Sequence, residues 1–138
     1  MEIRPLLDVR GRDLNLLNAQ ANLEKEQGSK KVLYLEDTTA DIIVFERLIK
    51  NKDISVLSFL TMKDLTRFFK SQERKPWDLI VVDYTSDFFS YIDTIQELAG
   101  AENVLVTSGS AERYEHQGKF PFVHKGNLER AVRGILEF

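Results

Sequence analysis

The order of apolar and polar positions divides residues 31–138 into alternating segments of two kinds. Short continuous apolar runs predict strands that are covered on both faces, and apolar residues at helical spacing predict helices that lie along a sheet. The predicted strands are 32–36, 54–59, 77–83, 103–108 and 120–125, and the predicted helices are 37–51, 61–73, 90–101 and 127–138. Such alternation favours an α/β fold with a doubly wound, five-stranded parallel sheet in the order 2-1-3-4-5.

Residues 1–30 follow a different pattern and are expected to lie outside this domain. Asp13 is a candidate N-cap for a helix whose apolar stripe would contain Leu14, Leu17 and Ala21. Because a single helix cannot bury its own stripe, we expect an N-terminal helical extension or linker that docks or dimerises. Residues 31–138 then form one domain.

Composition narrows the class of protein. The 138 residues suffice for one domain of ordinary size, and 43% hydrophobic with 30% charged residues is typical of a globular protein. A formal net charge of -3 offers no basic surface for nucleic acid. The absence of cysteine excludes disulfides and thiolate metal sites. We recognise no signal peptide and no apolar run long enough for a membrane, so a cytoplasmic location is expected.

Polar residues that could bind a ligand or take part in a reaction stand at the ends of four predicted strands. In an open parallel sheet, sites form beyond the carboxyl ends of the strands, so these side chains are expected to converge. They are Glu36 and Asp37 after the first strand, Asp83 after the third, Thr107 and Ser108 after the fourth, and Lys125 after the fifth.

Three carboxylates at one edge would repel one another unless a cation joined them. Hard oxygen ligands with room for water suit Mg²⁺ or Mn²⁺. A cation held by Asp37 and Asp83 would leave one Asp83 oxygen free as a nucleophile toward phosphorus. Lys125 and a hydroxyl at Thr107 would neutralise the charge of a transferring phosphoryl group.

The segments VLYLED, DLIVVD, NVLVTSGS and FVHKGN resemble, in this order, the strands of response-regulator receiver domains, which have the flavodoxin-like or CheY-like fold. The resemblance covers residues 31–138. It implies two-component signalling in which Asp83 accepts the phosphoryl group. It also implies a metal site of Glu36, Asp37, Asp83 and the backbone carbonyl of Thr85, with Thr107, Lys125 and the switch aromatic Phe122 around the phosphoryl group.

Two departures from the receiver pattern concern the loops and helices around the site. The chain continues YTSDFF after Asp83, without the usual Met-Pro, and Gly126 replaces the proline that usually follows the lysine. The intervals before and after Thr107 are short, so the third and fourth helices are expected to be abbreviated. The usual output surface of the family is therefore in question, whereas the acceptor chemistry is not.

The resemblance implies a signalling domain rather than an enzyme, phosphorylated by a histidine kinase or a histidine phosphotransfer protein. Two alternatives stay open. One is a phosphorylation-independent pseudo-receiver that acts as an interaction or dimerisation module. The other is a small Mg²⁺-dependent phosphatase of the haloacid dehalogenase type, which requires a second Asp where this chain has Thr85.

Several residues also have ordinary structural interpretations. Asp37 could cap the first helix, and Thr61 and Asn127 are predicted to cap the helices 61–73 and 127–138. Thr107 is favoured over Ser108 by family position, since adjacent strand residues point to opposite faces. Trp77 is predicted to pack at the far end of the sheet, and no role is predicted for His116 or His124.

Overall fold

The structure of the protein is a computed structural model that describes residues 29–51, 53–71, 76–109 and 119–138. The predicted N-terminal helix and residues 110–118, where the abbreviated fourth helix of the receiver pattern would fall, lie outside the described residues. No helix within these ranges combines the length and the apolar character that crossing a bilayer requires.

Strands and helices alternate along the described chain as the sequence pattern predicts. The strands are β1 (Lys30–Leu35), β2 (Ile54–Phe59), β3 (Leu79–Asp83), β4 (Val104–Ser108) and β5 (Phe122–His124). The α-helices are α1 (Thr39–Ile49), α2 (Met62–Ser71), α3 (Ile92–Ala99) and α4 (Leu128–Leu136). Short 3-10 turns, Asp87–Tyr91 and Lys125–Asn127, lead into α3 and α4. With eight residues, α3 is short, as predicted.

The five strands form one parallel sheet in the order β2-β1-β3-β4-β5, which confirms the predicted topology. Because the strands are parallel, their carboxyl ends lie along one edge. The chain crosses there from each strand into the following helix, so the residues just after β1, β3 and β5 are brought toward one another.

Each face of the sheet has its own apolar core. On one face, Leu35 and Val82 pack with Phe68 of α2 and Ile95 of α3. The residues one position earlier in each strand point to the other face, where they pack against α1 and α4. That second core contains Tyr34, Val81, Leu105, Ile42, Phe45, Leu128 and Val132. The sheet is therefore covered on both sides, as its continuous apolar strands predict.

Three local predictions have different outcomes. Thr61 caps α2, because its Oγ1 accepts a hydrogen bond of 3.1 Å from the backbone N–H of Asp64. Asn127 occupies the cap position of α4 but makes no side-chain cap hydrogen bond, so that prediction was wrong. The reason is the 3-10 turn before α4, which holds Asn127 at φ -115° and ψ 11° rather than in the extended conformation of an N-cap. Trp77 is buried beside Phe68, far from the carboxyl edge, as predicted.

Candidate functional site at the carboxyl edge of the sheet

Strand register places the polar side chains of three strands on one face. Asp83 and Thr107 are register partners, so their side chains point to the same side. Glu36 follows Tyr34 by two positions and continues its direction, toward the face covered by α1 and α4. Ser108 points to the opposite face, which agrees with the choice of Thr107 made from family position.

The three predicted acidic residues meet at this edge. Carboxylate oxygens of Glu36, Asp37 and Asp83 lie within 4.8 Å of one another. Glu36 and Asp83 are almost completely enclosed, with 0% and 2% exposure, whereas Asp37 is exposed. Asp37 does not cap α1, whose N-cap position is taken by Thr38.

This acidic group suits a hard divalent cation. Glu36 Oε2 and Asp83 Oδ1 are buried oxygens without a hydrogen-bond partner in the described part of the chain. Buried carboxylate oxygens without donors are costly unless a cation or water contacts them. Oxygen ligands of this kind match Mg²⁺ or Mn²⁺. Thr85 donates from its hydroxyl to Asp83 Oδ2 at 2.9 Å, and the role of its carbonyl stays a prediction.

Lys125 reaches the acidic group from the turn after β5. Its Nζ lies 2.8 Å from Glu36 Oε1 and 3.5 Å from Asp83 Oδ1. The second distance is too long for a charge-assisted hydrogen bond. An ion pair between Lys125 and Asp83 is therefore present but loose, and Glu36 is the closer partner.

Asp41 is a member of the site that sequence reasoning missed. Its Oδ2 accepts a 2.7 Å hydrogen bond from Lys125 Nζ. The available signal was weak, because an acid in the first turn of a helix is common and is explained by the helix dipole alone. Recognising its role requires the position of the Lys125 side chain, which the sequence pattern does not give.

Tyr34 is a second missed member. It is buried in β1, and its hydroxyl donates to Glu36 Oε1 at 3.1 Å. The spacing of two residues on one strand places both side chains on one face, and this spacing was the signal that could have linked them. Among the described residues, Glu36 Oε1 thus accepts from two donors and Glu36 Oε2 from none.

Burial and charge shift the pKa values of this network. Burial raises the pKa of Glu36 to about 7, although the hydrogen bond from Lys125 opposes the shift. Burial also raises the pKa of Asp83, against the charge of Lys125. The pKa of Lys125 is lowered by burial, but hydrogen bonds to Asp41 and Glu36 outweigh this and raise it. Burial, followed by the charge of Glu36, raises the pKa of Tyr34.

The remaining predicted residues, Thr107 and Phe122, lie on β4 and β5. Thr107 is fully buried, and its Oγ1 donates to the backbone carbonyl of Val123 at 2.8 Å. Its hydroxyl is therefore bound to the neighbouring strand rather than to Asp83. Phe122 is partly buried and packs against the core beneath α2 and α3, on the face opposite Asp83.

Solved structures with the same architecture share very little sequence with this chain. A two component transcriptional regulator AraC from Clostridium phytofermentans ISDg is 15% identical, with a TM-score of 0.59 over 79% of this chain and 93% of that one. A response regulator receiver domain (CheY-like) from Methylobacillus flagellatus is 16% identical, with a TM-score of 0.54 over 78% and 98%. The chain has the fold of a response-regulator receiver domain.

A third match is to a chain in the crystal structure of the P1 domain of CheA3 in complex with CheY6 from R. sphaeroides. It is 19% identical, with a TM-score of 0.59 over 80% of this chain and 100% of that one. A scan against protein-family models finds no match, and neither does a search of curated proteins. The predicted receiver fold is thus confirmed by structure at a level of identity where sequence comparison fails.

The departure from the receiver pattern at Gly126 has a visible reason. The Gly126 N–H donates to His124 Nδ1 at 3.1 Å, a bond that a proline could not make. His124 Nε2 lies 2.9 Å from the Gly109 carbonyl, so this nitrogen carries the hydrogen. His124, for which no role was predicted, therefore ties the turn that carries Lys125 to the end of β4. His116 lies outside the described residues.

Proposed function

We propose that this chain is a receiver domain of a two-component phosphorelay, in which Asp83 accepts a phosphoryl group from a phosphohistidine in a Mg²⁺-dependent transfer. The observation that supports it best is the buried Asp83 Oδ1, which accepts no hydrogen bond from the described residues and stands beside two further carboxylates and Lys125. A buried acid at such an edge is a poor structural element but a suitable nucleophile.

In the proposed transfer an oxygen of the Asp83 carboxylate attacks phosphorus. A P–O bond forms, the P–N bond of the phosphoimidazole breaks, and its electron pair returns to the imidazole nitrogen, which takes a proton from water. Lys125 and the Thr107 hydroxyl neutralise the phosphoryl oxygens. Glu36, Asp37, Asp83 and the Thr85 carbonyl would hold Mg²⁺, which supplies further charge neutralisation when bound.

The proposed switch follows from the bonds that these residues make without a phosphoryl group. The Thr107 hydroxyl would leave the Val123 carbonyl and the Lys125 ammonium group would move toward Asp83, because the added negative charge attracts both donors. Loss of the Thr107 bond would loosen β5 next to Phe122. The result is a population shift between two arrangements of β4 and β5.

The proposed donor is a histidine kinase or a histidine phosphotransfer protein. The structure of CheY6 with the P1 domain of CheA3 supports a kinase-type partner. Residues 1–30 are proposed to be an extension or linker that permits a homodimer, with 31–138 as the receiver domain. We propose neither nucleic acid nor membrane as a direct partner, and a cytoplasmic location stays a prediction.

A phosphorylation-independent pseudo-receiver is the second candidate. It is favoured by the engagement of Thr107 with Val123 and of Lys125 with Asp41, since both polar groups are already satisfied away from Asp83. The phosphatase alternative has less support, because Thr85, which stands where a general acid would be needed, has no acidic side chain and donates its hydroxyl to Asp83.

Incubation with acetyl phosphate and Mg²⁺, followed by intact mass spectrometry, separates these candidates. We expect the mass of one phosphoryl group on the wild type, none on Asp83→Asn, and an unchanged adduct on Asp87→Asn, a matched change at an exposed position four residues past the strand end. The absence of an adduct on the wild type would favour the pseudo-receiver. Continuous hydrolysis of an added phosphomonoester would favour the phosphatase.

A further inference from the structure

Asp41 binds the ammonium group of Lys125 more closely than the proposed phospho-acceptor does. The Nζ–oxygen distance is 2.7 Å to Asp41 Oδ2 and 3.5 Å to Asp83 Oδ1. A lysine ammonium has three hydrogens to donate, and short bonds to Asp41 and to Glu36 use two of them. The group that would meet the phosphoryl oxygens is thus directed toward α1.

The fold keeps Asp41 in this position. Asp41 lies in the first turn of α1, and the Lys125 side chain enters the groove between α1 and α4 to reach it. The groove is lined by Tyr34, Val44 and Leu128, whose apolar surface can cover the lysine stem. The arrangement is therefore supported by packing on both sides of the ion pair.

The contact between Asp41 and Lys125 affects how much positive charge is available to a phosphoryl group. The carboxylates of Glu36, Asp41 and Asp83 lie within 3.5 Å of one ammonium group, and that of Asp37 stands beside Glu36 and Asp83. An arriving phosphoryl group brings further negative charge next to Asp83 and needs Lys125 for its neutralisation. Every bond that Lys125 keeps with Asp41 is unavailable to that group, so the two acceptors compete for it.

We propose that Asp41 is a positioning residue that holds Lys125 away from Asp83 and thereby lowers the affinity of the site for a phosphoryl group. This inference rests on the proposed function. The side chains are 21% and 38% exposed for Lys125 and Asp41, so the restraint is partly screened by solvent. Removal of the Asp41 charge should strengthen phosphoryl binding by roughly two- to fivefold, the order of one partly exposed ion pair.

The test is the dissociation constant of beryllofluoride, a phosphoryl mimic, at saturating Mg²⁺, with Mg²⁺ affinity measured separately. Asp41→Asn should bind beryllofluoride more tightly and Mg²⁺ equally or less tightly. A loosened fold would weaken the binding of both ligands, so tighter binding of beryllofluoride excludes that explanation. Asp41→Glu keeps the charge and should restore the wild-type value.

Glu129→Gln is the matched control, because Glu129 lines the same groove but pairs with Arg133 instead of Lys125. It should leave beryllofluoride affinity unchanged. If the wild type binds beryllofluoride and Asp41→Asn binds it no better, the inference about Asp41 is overturned while the proposed function stands. If neither protein binds it, the proposed function fails and this inference fails with it. Binding by Asp41→Asn alone would support the restraint in its strongest form.

Discussion

The two halves of the site are built differently. The acidic half, Glu36 and Asp83, stands at the buried carboxyl ends of β1 and β3, and within the described part of the chain each residue has one oxygen that accepts no hydrogen bond. The neutralising half, Thr107 and Lys125, which we propose to meet the phosphoryl group, makes short hydrogen bonds to other partners, and β5 beside it is only three residues long. One half is fixed and electrostatically incomplete, whereas the other is satisfied and lightly anchored.

This contrast suits a switch. A rigid acidic half can hold a cation and a nucleophile in constant geometry, because its residues continue strands that both cores fix. The neutralising half can exchange one set of hydrogen bonds for another at low cost, since few buried contacts depend on β5. Its present bonds define the state that phosphorylation would have to displace.

The largest expected effect comes from removing the ammonium group of Lys125, which joins the neutralising half to the acidic half. Lys125→Met should lower the free energy of unfolding by about 3 kcal/mol at pH 8 without divalent cation, because it leaves the buried Glu36 charge without its ion pair. Urea denaturation measures this, and Mg²⁺ should recover part of the loss. Lys119→Met breaks an exposed pair with Asp93 and should cost under about 1 kcal/mol. Equal losses for the two variants would contradict the contrast between a buried and a surface charge.

A pH profile tests the acidic half by itself. Because burial raises the pKa of Glu36 to about 7 from its usual 4.5, the folded protein binds more protons than the unfolded chain between these values. The cation-free wild type should therefore lose stability as the pH rises from about 5 to 8, by on the order of 2 kcal/mol relative to Glu36→Gln. Mg²⁺ should stabilise the wild type more at pH 8 than at pH 5, since it binds the ionised carboxylate. Parallel pH profiles of the two proteins would show that Glu36 titrates normally.

A smaller effect is expected at the turn that carries Lys125. Gly126→Pro removes the N–H that donates to His124 and should cost about 1 kcal/mol, the value of one hydrogen bond. Gly126→Ala keeps the donor, and its Cβ would meet the His124 ring at an ordinary contact distance of 3.5 Å, so it should be nearly neutral. Thermal unfolding of both variants measures the difference. A proline variant as stable as the alanine variant would mean that His124 does not anchor this turn.

The sequence permits prediction of the acidic half much better than of the neutralising half. The apolar runs locate the ends of the strands. Because the strands are parallel, their carboxyl ends lie at one edge of the sheet, and this alone brings Glu36, Asp37 and Asp83 together. The partners of Lys125 depend on which way a long, flexible side chain turns, and carboxylates on either side lie within its reach. The bond from Gly126 to His124 depends on a local turn that no periodicity signals, and the same turn displaced Asn127 from capping geometry.

The acceptor residue can be tested most directly by reducing the acetyl phosphate-treated protein with borohydride, which converts an aspartyl phosphate to homoserine, and mapping the product by peptide mass spectrometry. The account predicts homoserine at position 83, dependent on Mg²⁺ and absent from Asp83→Asn. Homoserine at Asp37 or Asp41 instead, or none at any carboxylate of the site, would contradict it.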